Sequence, residues 1–165
     1  MRARKKLRAD FARYYHAGQK NPKTFFQRLR IFRRNEAMWA IAVYRLGQYL
    51  DYEASRSSRF LLRLPYLIFW KFVQYTIGIH LFPAADIGPG LYIGHYGEIW
   101  ISPKTKMGAN CNISQGVVIG TAGQRAGSVI GDRVWIGPHA VITGPARIGA
   151  GAVIGANSCV VSNIP

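Results

Sequence analysis

Acidic side chains are scarce in this sequence: 7 Asp and Glu stand against 22 Lys and Arg, for a net charge of +15. The imbalance is local. Residues 1–80 hold 17 basic and 4 acidic residues, whereas residues 81–165 hold 5 and 3. A basic N-terminal half predicts an anionic partner, either nucleic acid or acidic lipid head groups. No helix-turn-helix, zinc-finger or RNA-binding motif accompanies it, so nucleic acid is not expected. Cysteine is also scarce. Cys111 and Cys159 lack neighbours at Cys-x-x-Cys spacing, and both are expected as small buried residues in a reducing cytosol. The basic start is not followed by an apolar segment and a small-residue cleavage site, so no secretory leader is visible. Histidine numbers only 4.

Apolar and aromatic residues dominate what remains of the N-terminal half. Met1–Lys20 reads as a loose arm or frayed helix, ended by Asn21-Pro22. From Phe25 to Leu50, apolar residues interleave with Arg28, Arg30, Arg33 and Arg34 in a basic amphipathic pattern of one or two helices. The serine-containing segment 51–59 reads as a loop. Residues 60–82 then form a run long enough to span a bilayer, but Arg63 and Lys71 interrupt it and Pro65 breaks its start. A charge at the centre of a spanning helix costs roughly 2.5–3.5 kcal/mol. The run is therefore expected to lie in the membrane interface, with Tyr66, Phe69, Trp70, Phe72 and Tyr75 at head-group level.

After residue 80 the pattern changes. Apolar residues, mostly followed by Gly, recur every six positions: Ile87, Ile93 and Ile99, then a slip of two to Ile101, then Met107, Ile113 and Ile119. After a break the series resumes at Ile130 and continues through Ile136, Ile142, Ile148, Ile154 and Val160. A period of six fits neither an α-helix nor separate strands of a sandwich. It predicts a triangular solenoid with one short strand per side and three hexapeptides per turn. Eleven residues separate Ile119 from Ile130. The excess, around residues 121–127, is expected to leave the solenoid as a protruding loop, where binding groups are commonly carried.

Residues 82–88 (FPAADIG), 93–99 (IGHYGEI), 113–120 (ISQGVVIG) and 154–161 (IGANSCVV) resemble the hexapeptide acyltransferases, within them the serine acetyltransferase-like group. The basic, apolar N-terminal half is similar to that of members acting in surface polysaccharide biosynthesis. The resemblance implies a mainly β fold: a left-handed parallel β-helix over 81–165, preceded by an α-helical amphipathic region over 1–80. It implies a homotrimer with each active site between neighbouring β-helices, and acetyl-CoA as donor. It implies a histidine as general base on the acceptor hydroxyl, and His95 stands at that position. Glu98 is the nearest acid and the candidate partner of His95, with Asp86 a weaker one. Gly120, Thr121, Pro138 and Ala156 occupy the family's donor-binding positions. Arg125, Arg133 and Arg147 are candidates for the CoA phosphates. Family members normally continue into a tail that closes the adenine end. This sequence stops at Pro165, so either the tail is missing from it or that end of the site is built differently.

The sequence also departs from the serine enzymes. Gly94 stands where they have an Asp before the histidine, and His80 stands at their upstream acid. Arg125 has no histidine beside it, where they carry an Arg-His pair. These departures shift the expected acceptor from serine to a sugar hydroxyl of a lipid-linked surface-polysaccharide precursor. Tyr96, Trp100, Asn112 and Gln115 are candidate acceptor contacts. The expectation is thus an acetyl-CoA-dependent O-acetyltransferase, peripheral on the cytoplasmic face of the inner membrane. The alternatives are a serine O-acetyltransferase of cysteine biosynthesis and a non-catalytic β-helix scaffold. A γ-type carbonic anhydrase would need two histidines about five residues apart in the middle repeats. Only His95 and His139 stand in the repeats, so no metal is expected; His139 reads as a surface corner residue and Trp135 as packing.

Overall fold

The computed structural model describes residues 2–14, 24–121, 123 and 126–165. Four helices, α1 (Ala3–Ala12), α2 (Phe25–Arg34), α3 (Glu36–Tyr52) and α4 (Arg56–Ile77), precede a parallel β-helix of about four turns. Face A of the prism carries β1 (Ile79–Leu81), β4 (Ile99–Ile101), β7 (Val118–Ile119), β10 (Val141–Ile142) and β13 (Cys159–Val160). Face B carries β2 (Asp86–Ile87), β5 (Lys106–Met107), β8 (Val129–Ile130) and β11 (Arg147–Ile148). Face C carries β3 (Tyr92–Ile93), β6 (Asn112–Ile113), β9 (Trp135–Ile136) and β12 (Val153–Ile154).

The six-residue period has a direct cause. Each short strand turns one aliphatic residue inward, and each stacks on its equivalent one coil away, as Ile93 does on Ile113 and Ile113 on Ile136. From Ile87 through Ile154 these inward residues are at most 4% exposed. Coils stack at strand spacing, about 4.8 Å. A Cβ on Gly88 would lie 2.5 Å from the backbone of Gly108, so the corner there excludes a side chain.

Two irregularities stand out against this frame. Equivalent positions on face A are Leu81, Ile101, Ile119, Ile142 and Val160, so successive coils take 20, 18, 23 and 18 residues. The two extra residues of the first coil fall between β3 and β4, at the corner that holds His95. The five extra residues of the third fall between β7 and β8, in the 121–127 loop. The slip between Ile93 and Ile101 is therefore a local corner insertion and not a change of repeat.

The helices close the open end of the solenoid. The first coil has no preceding coil to receive its backbone groups. Tyr14 Oη donates to Ile93 O and accepts from Ile93 N–H, both at 3.1 Å. Tyr44 Oη donates to Ala85 O at 2.6 Å and accepts from Ile87 N–H at 3.3 Å. Arg45 donates to Ile87 O at 2.9 Å and Gly88 O at 2.7 Å, and Asp10 accepts from Leu91 N–H at 2.8 Å. Arg45 and Asp10 pair at 2.8 Å, their side chains 1% and 0% exposed. Burial pushes the Tyr14 and Tyr44 hydroxyls far above the usual phenol range, against the lowering effect of their backbone contacts for Tyr14 and of Arg45 for Tyr44.

Several sequence expectations are corrected. The start of the chain is no loose arm: α1 is docked through the buried Asp10–Arg45 pair, which no hydrophobic pattern announces. The segment from Phe25 takes the two-helix form of the two that its pattern allows. The 51–59 loop shrinks to Glu53–Ser55, because Ser55 accepts the Ser58 N–H and caps α4. Pro65 does not break the apolar run but sits inside α4. That helix ends at Gly78, whose φ of 69° turns the chain into β1. Cys111 is buried as expected, but Cys159 is exposed, because it holds the outward position of β13. The Asn21-Pro22 break lies outside the described residues.

Candidate active site

The coil register sorts the candidate residues onto the edges of the prism. The corner between faces C and A holds His95, Tyr96 and Glu98 in the first coil, Gln115 in the second, Pro138 and His139 in the third, and Ala156 in the fourth. A backbone ladder links these corners: Gly116 N–H donates to Gly97 O at 3.0 Å, His139 N–H to Gln115 O at 2.9 Å, and Asn157 N–H to Pro138 O at 2.8 Å. The left-handed backbone recurs along the same edge, with φ of 54° at Glu98, 70° at Gly116, 56° at His139 and 58° at Asn157.

The two-residue insertion makes the His95 corner the bulkiest on this edge. His95, Tyr96 and Glu98 are all exposed. His95 and Glu98 share the corner three positions apart, and among the described residues no hydrogen bond joins them. One coil on, Gln115 Oε1 is buried without a hydrogen-bond partner among the described residues. His139 folds its ring over Gly116, where a Cβ would meet Nδ1 at 2.2 Å. It is otherwise exposed, in keeping with a surface corner residue.

The other candidates lie elsewhere. Trp100 points outward from face A, 44% exposed, in an aromatic row with His80 at 4.9 Å and Phe82 at 5.3 Å between ring centroids. Asn112 lies on face C, where its Oδ1 accepts from Arg13 at 2.7 Å; the structure ties it to the N-terminal helices rather than to the His95 corner. Gly120 and Thr121 sit at the opposite edge of face A, where the long loop leaves. Arg125 lies outside the described residues. Arg147 is on face B, beside β8, and Arg133 turns the corner between faces B and C with a φ of 57°. Asp86 pairs with Lys6 at 3.3 Å. Among the described residues, no group of three His, Cys, Asp or Glu side chains stands together as a metal site.

The two insertions therefore leave from different edges of one prism. The stretch from Gln115, level with His95, to Thr121 spans six residues, or about 20 Å of extended chain. Within one chain the loop and His95 are separated by the whole of face A. The sequence holds a signal for this that a plain repeat count misses: the slip of two brackets His95, and the gap of eleven follows four strands later.

His80 has its pKa lowered by burial, with Lys71 acting in the same direction. A lowered histidine pKa adds stability that is present above the unfolded value and is lost as pH falls through the folded one. Replacing His80 with Phe is expected to flatten the fall in Tm between neutral and mildly acidic pH, measured by thermal denaturation at stepped pH. An unchanged slope would show that His80 does not titrate against the fold.

The family model described as bacterial transferase hexapeptide, six repeats, matches residues 127–162. Residues 127–162 thus match that repeat. The chain is 35% identical to a serine acetyltransferase of Mycobacterium tuberculosis over 98 residues, covering 58% of this chain and 43% of that one. It is 34% identical to a serine acetyltransferase of Helicobacter pylori, covering 58% and 57%. The chain thus spans about half the length of these curated relatives. Among solved structures, a serine acetyltransferase of Neisseria gonorrhoeae in complex with serine aligns with a TM-score of 0.76 at 29% identity, covering 99% of this chain and 64% of that one. A serine acetyltransferase in complex with CoA aligns at 0.75 and 24% identity, covering 97% and 63%; at that identity the likeness shows the fold alone. In both alignments the likeness extends across the helices as well as the repeats.

Proposed function

We propose that this chain is an acetyl-CoA-dependent O-acetyltransferase, working as a homotrimer with its site along the edge that holds His95. The observation that carries the reading is the company His95 keeps. An exposed histidine on an inserted corner sits one coil from a buried, unpartnered Gln115 acceptor, on the edge that also holds Pro138 and Ala156. A buried acceptor without a donor calls for a donor from outside the single chain. A neighbouring subunit, or a polar group of the acceptor other than the reacting hydroxyl, supplies one. Gly120 points the same way: a Cβ there would meet nothing within 4 Å, and its φ is not among the positive ones. Nothing among the described residues requires that glycine, so it leaves room for a group approaching from outside. Because the loop and His95 leave different edges, a neighbouring prism would bring one subunit's loop toward another's His95.

In the proposed reaction His95 takes the hydroxyl proton as the acceptor oxygen attacks the thioester carbonyl of acetyl-CoA. The carbon–sulfur bond then breaks, and His95 returns the proton to the departing CoA thiolate. Glu98 is the candidate to orient the imidazole, and Gly120, Thr121, Arg125, Pro138 and Ala156 the candidates to hold the donor.

The acceptor has two readings. The relatives' names favour L-serine, and they support it better than they support a sugar. Two observations favour the sugar hydroxyl: Gly94 and His80 stand where the serine enzymes carry carboxylates, and Trp100 with His80 and Phe82 presents an aromatic row suited to a sugar ring. A lipid-linked sugar would place the enzyme at the cytoplasmic face of the inner membrane. Thiol release from acetyl-CoA, measured with L-serine and with a membrane extract rich in lipid-linked oligosaccharide, separates the two. Serine-dependent turnover is the result the relatives predict. Turnover with the extract alone would return the assignment to a sugar.

A further inference from the structure

The outer face of α4 is the largest feature that neither the fold nor the site uses. Phe60, Leu64, Ile68 and Phe72 follow one another at four-residue spacing, with Leu61 and Tyr75 beside them. On a helix these positions form one stripe, about 22 Å long from Phe60 to Tyr75. The six side chains are 58% to 84% exposed. The opposite face is occupied: Tyr66 and Val73 are buried against α3 and the first coil, and burial raises the Tyr66 hydroxyl to about 12. The stripe is therefore left over after the helix has docked. Contiguous exposed apolar surface of this kind marks an interaction site.

The charges around the stripe decide between occupants. α4 carries Arg56, Arg59, Arg63 and Lys71 and no acid; α2 carries Arg28, Arg30, Arg33 and Arg34 and no acid. α2 adjoins the stripe through a ring series from Phe32 to Trp39 at 4.5 Å, Trp39 to Phe69 at 6.1 Å and Phe69 to Phe72 at 6.4 Å. Phe26 and Leu29 of α2 are exposed as well. Asp51 is the one carboxylate paired to this set among the described residues, and Arg63 holds it at 2.5 Å. A second copy laid on this face would set cations against cations. An anionic bilayer satisfies both parts, taking the apolar side chains below the head groups and the cations at their level. Among the described residues, no helix is long and apolar enough to cross a membrane.

We propose that the outer face of α4, flanked by the arginines of α2, docks this protein in-plane on an anionic lipid surface. The inference rests on the reading of residues 60–82 as a run lying in the membrane interface and gives that reading a surface. It implies an acceptor met at the membrane, with the β-helix held just above the head groups.

The test uses the full chain and two kinds of vesicle, phosphatidylcholine alone and phosphatidylcholine mixed with phosphatidylglycerol, in a flotation assay. A chain with Leu64→Glu and Ile68→Glu together is the comparison, since both side chains already face solvent. Binding to the anionic vesicles is expected to exceed binding to the neutral ones and to weaken with salt. The double substitution is expected to lower it by about tenfold or more while circular dichroism stays native. Equal binding by the double variant, or none by the native chain, overturns the proposal. So does a native chain whose sedimentation coefficient falls on substitution, because the face would then be a contact between copies. Thiol release from acetyl-CoA, measured with L-serine and with the membrane extract, keeps the two readings apart: its absence with both in the native chain sinks the acetyl-transfer assignment and leaves the lipid result standing.

Discussion

Arg45→Leu is expected to destabilise the chain by about 3–5 kcal/mol, the cost of removing one partner from a buried ion pair. Arg45 joins three parts of the molecule. It neutralises Asp10 of α1 at 2.8 Å, belongs to α3, and donates to Ile87 O and Gly88 O of the first coil. Its loss leaves a buried carboxylate without a counter-charge and two carbonyls without that donor. Denaturant unfolding measures the effect. Asp10→Leu in the same background should recover part of the loss, because it removes the stranded charge. A single substitution costing less than about 1 kcal/mol would mean that the helices do not cap the solenoid as a unit. That cost is typical of an ordinary hydrogen bond.

His95→Ala is expected to lower kcat/KM by about a hundredfold to ten-thousandfold, the usual contribution of general acid–base catalysis. His95 is exposed on its corner and contributes no core packing, so the variant should keep the native unfolding midpoint. The loss should appear mainly in kcat, because the proposed proton transfer belongs to the transition state. A variant that raised KM alone would make His95 a binding residue.

The solenoid was legible because its physics repeats. One inward aliphatic residue every six positions is required at each coil, and Ile87, Ile93, Ile113, Ile119 and Ile136 supply it in plain view. Both insertions were legible as departures from that period, although the shorter one registers as a change of phase until the coils are aligned. The helical half was less legible. Asp10 and Arg45 lie 35 residues apart, and nothing local distinguishes Asp10 from a solvated acid in a basic segment. Their pairing depends on the first coil, whose unpaired carbonyls and amides must be met by side chains from other elements. Asn112 shows the same dependence on distant partners: its polarity suggests an acceptor contact, and the partner the fold brings to it is Arg13, 99 residues away in sequence. The exposed stripe of α4 was visible as an apolar run, while the division into a buried and an open face needed α3 and β1 in place.

The serine and sugar readings also show where pattern stops informing. Gly94, His80 and the loop around Arg125 argue against the carboxylate contacts of the serine enzymes, yet the relatives that match the repeats carry serine acetyltransferase names. Acceptor choice rests on a few side chains at the edge of an otherwise generic scaffold, and the scaffold supplies most of the similarity.

The most direct test of the account is acetyl-CoA turnover by thiol release for the native chain, His95→Ala and His139→Ala, with the same acceptor throughout. Both histidines stand on the same edge, two coils apart, so location alone does not separate them. The account predicts that turnover collapses without His95 and persists without His139. Turnover that survives loss of His95, or that depends equally on His139, would contradict it.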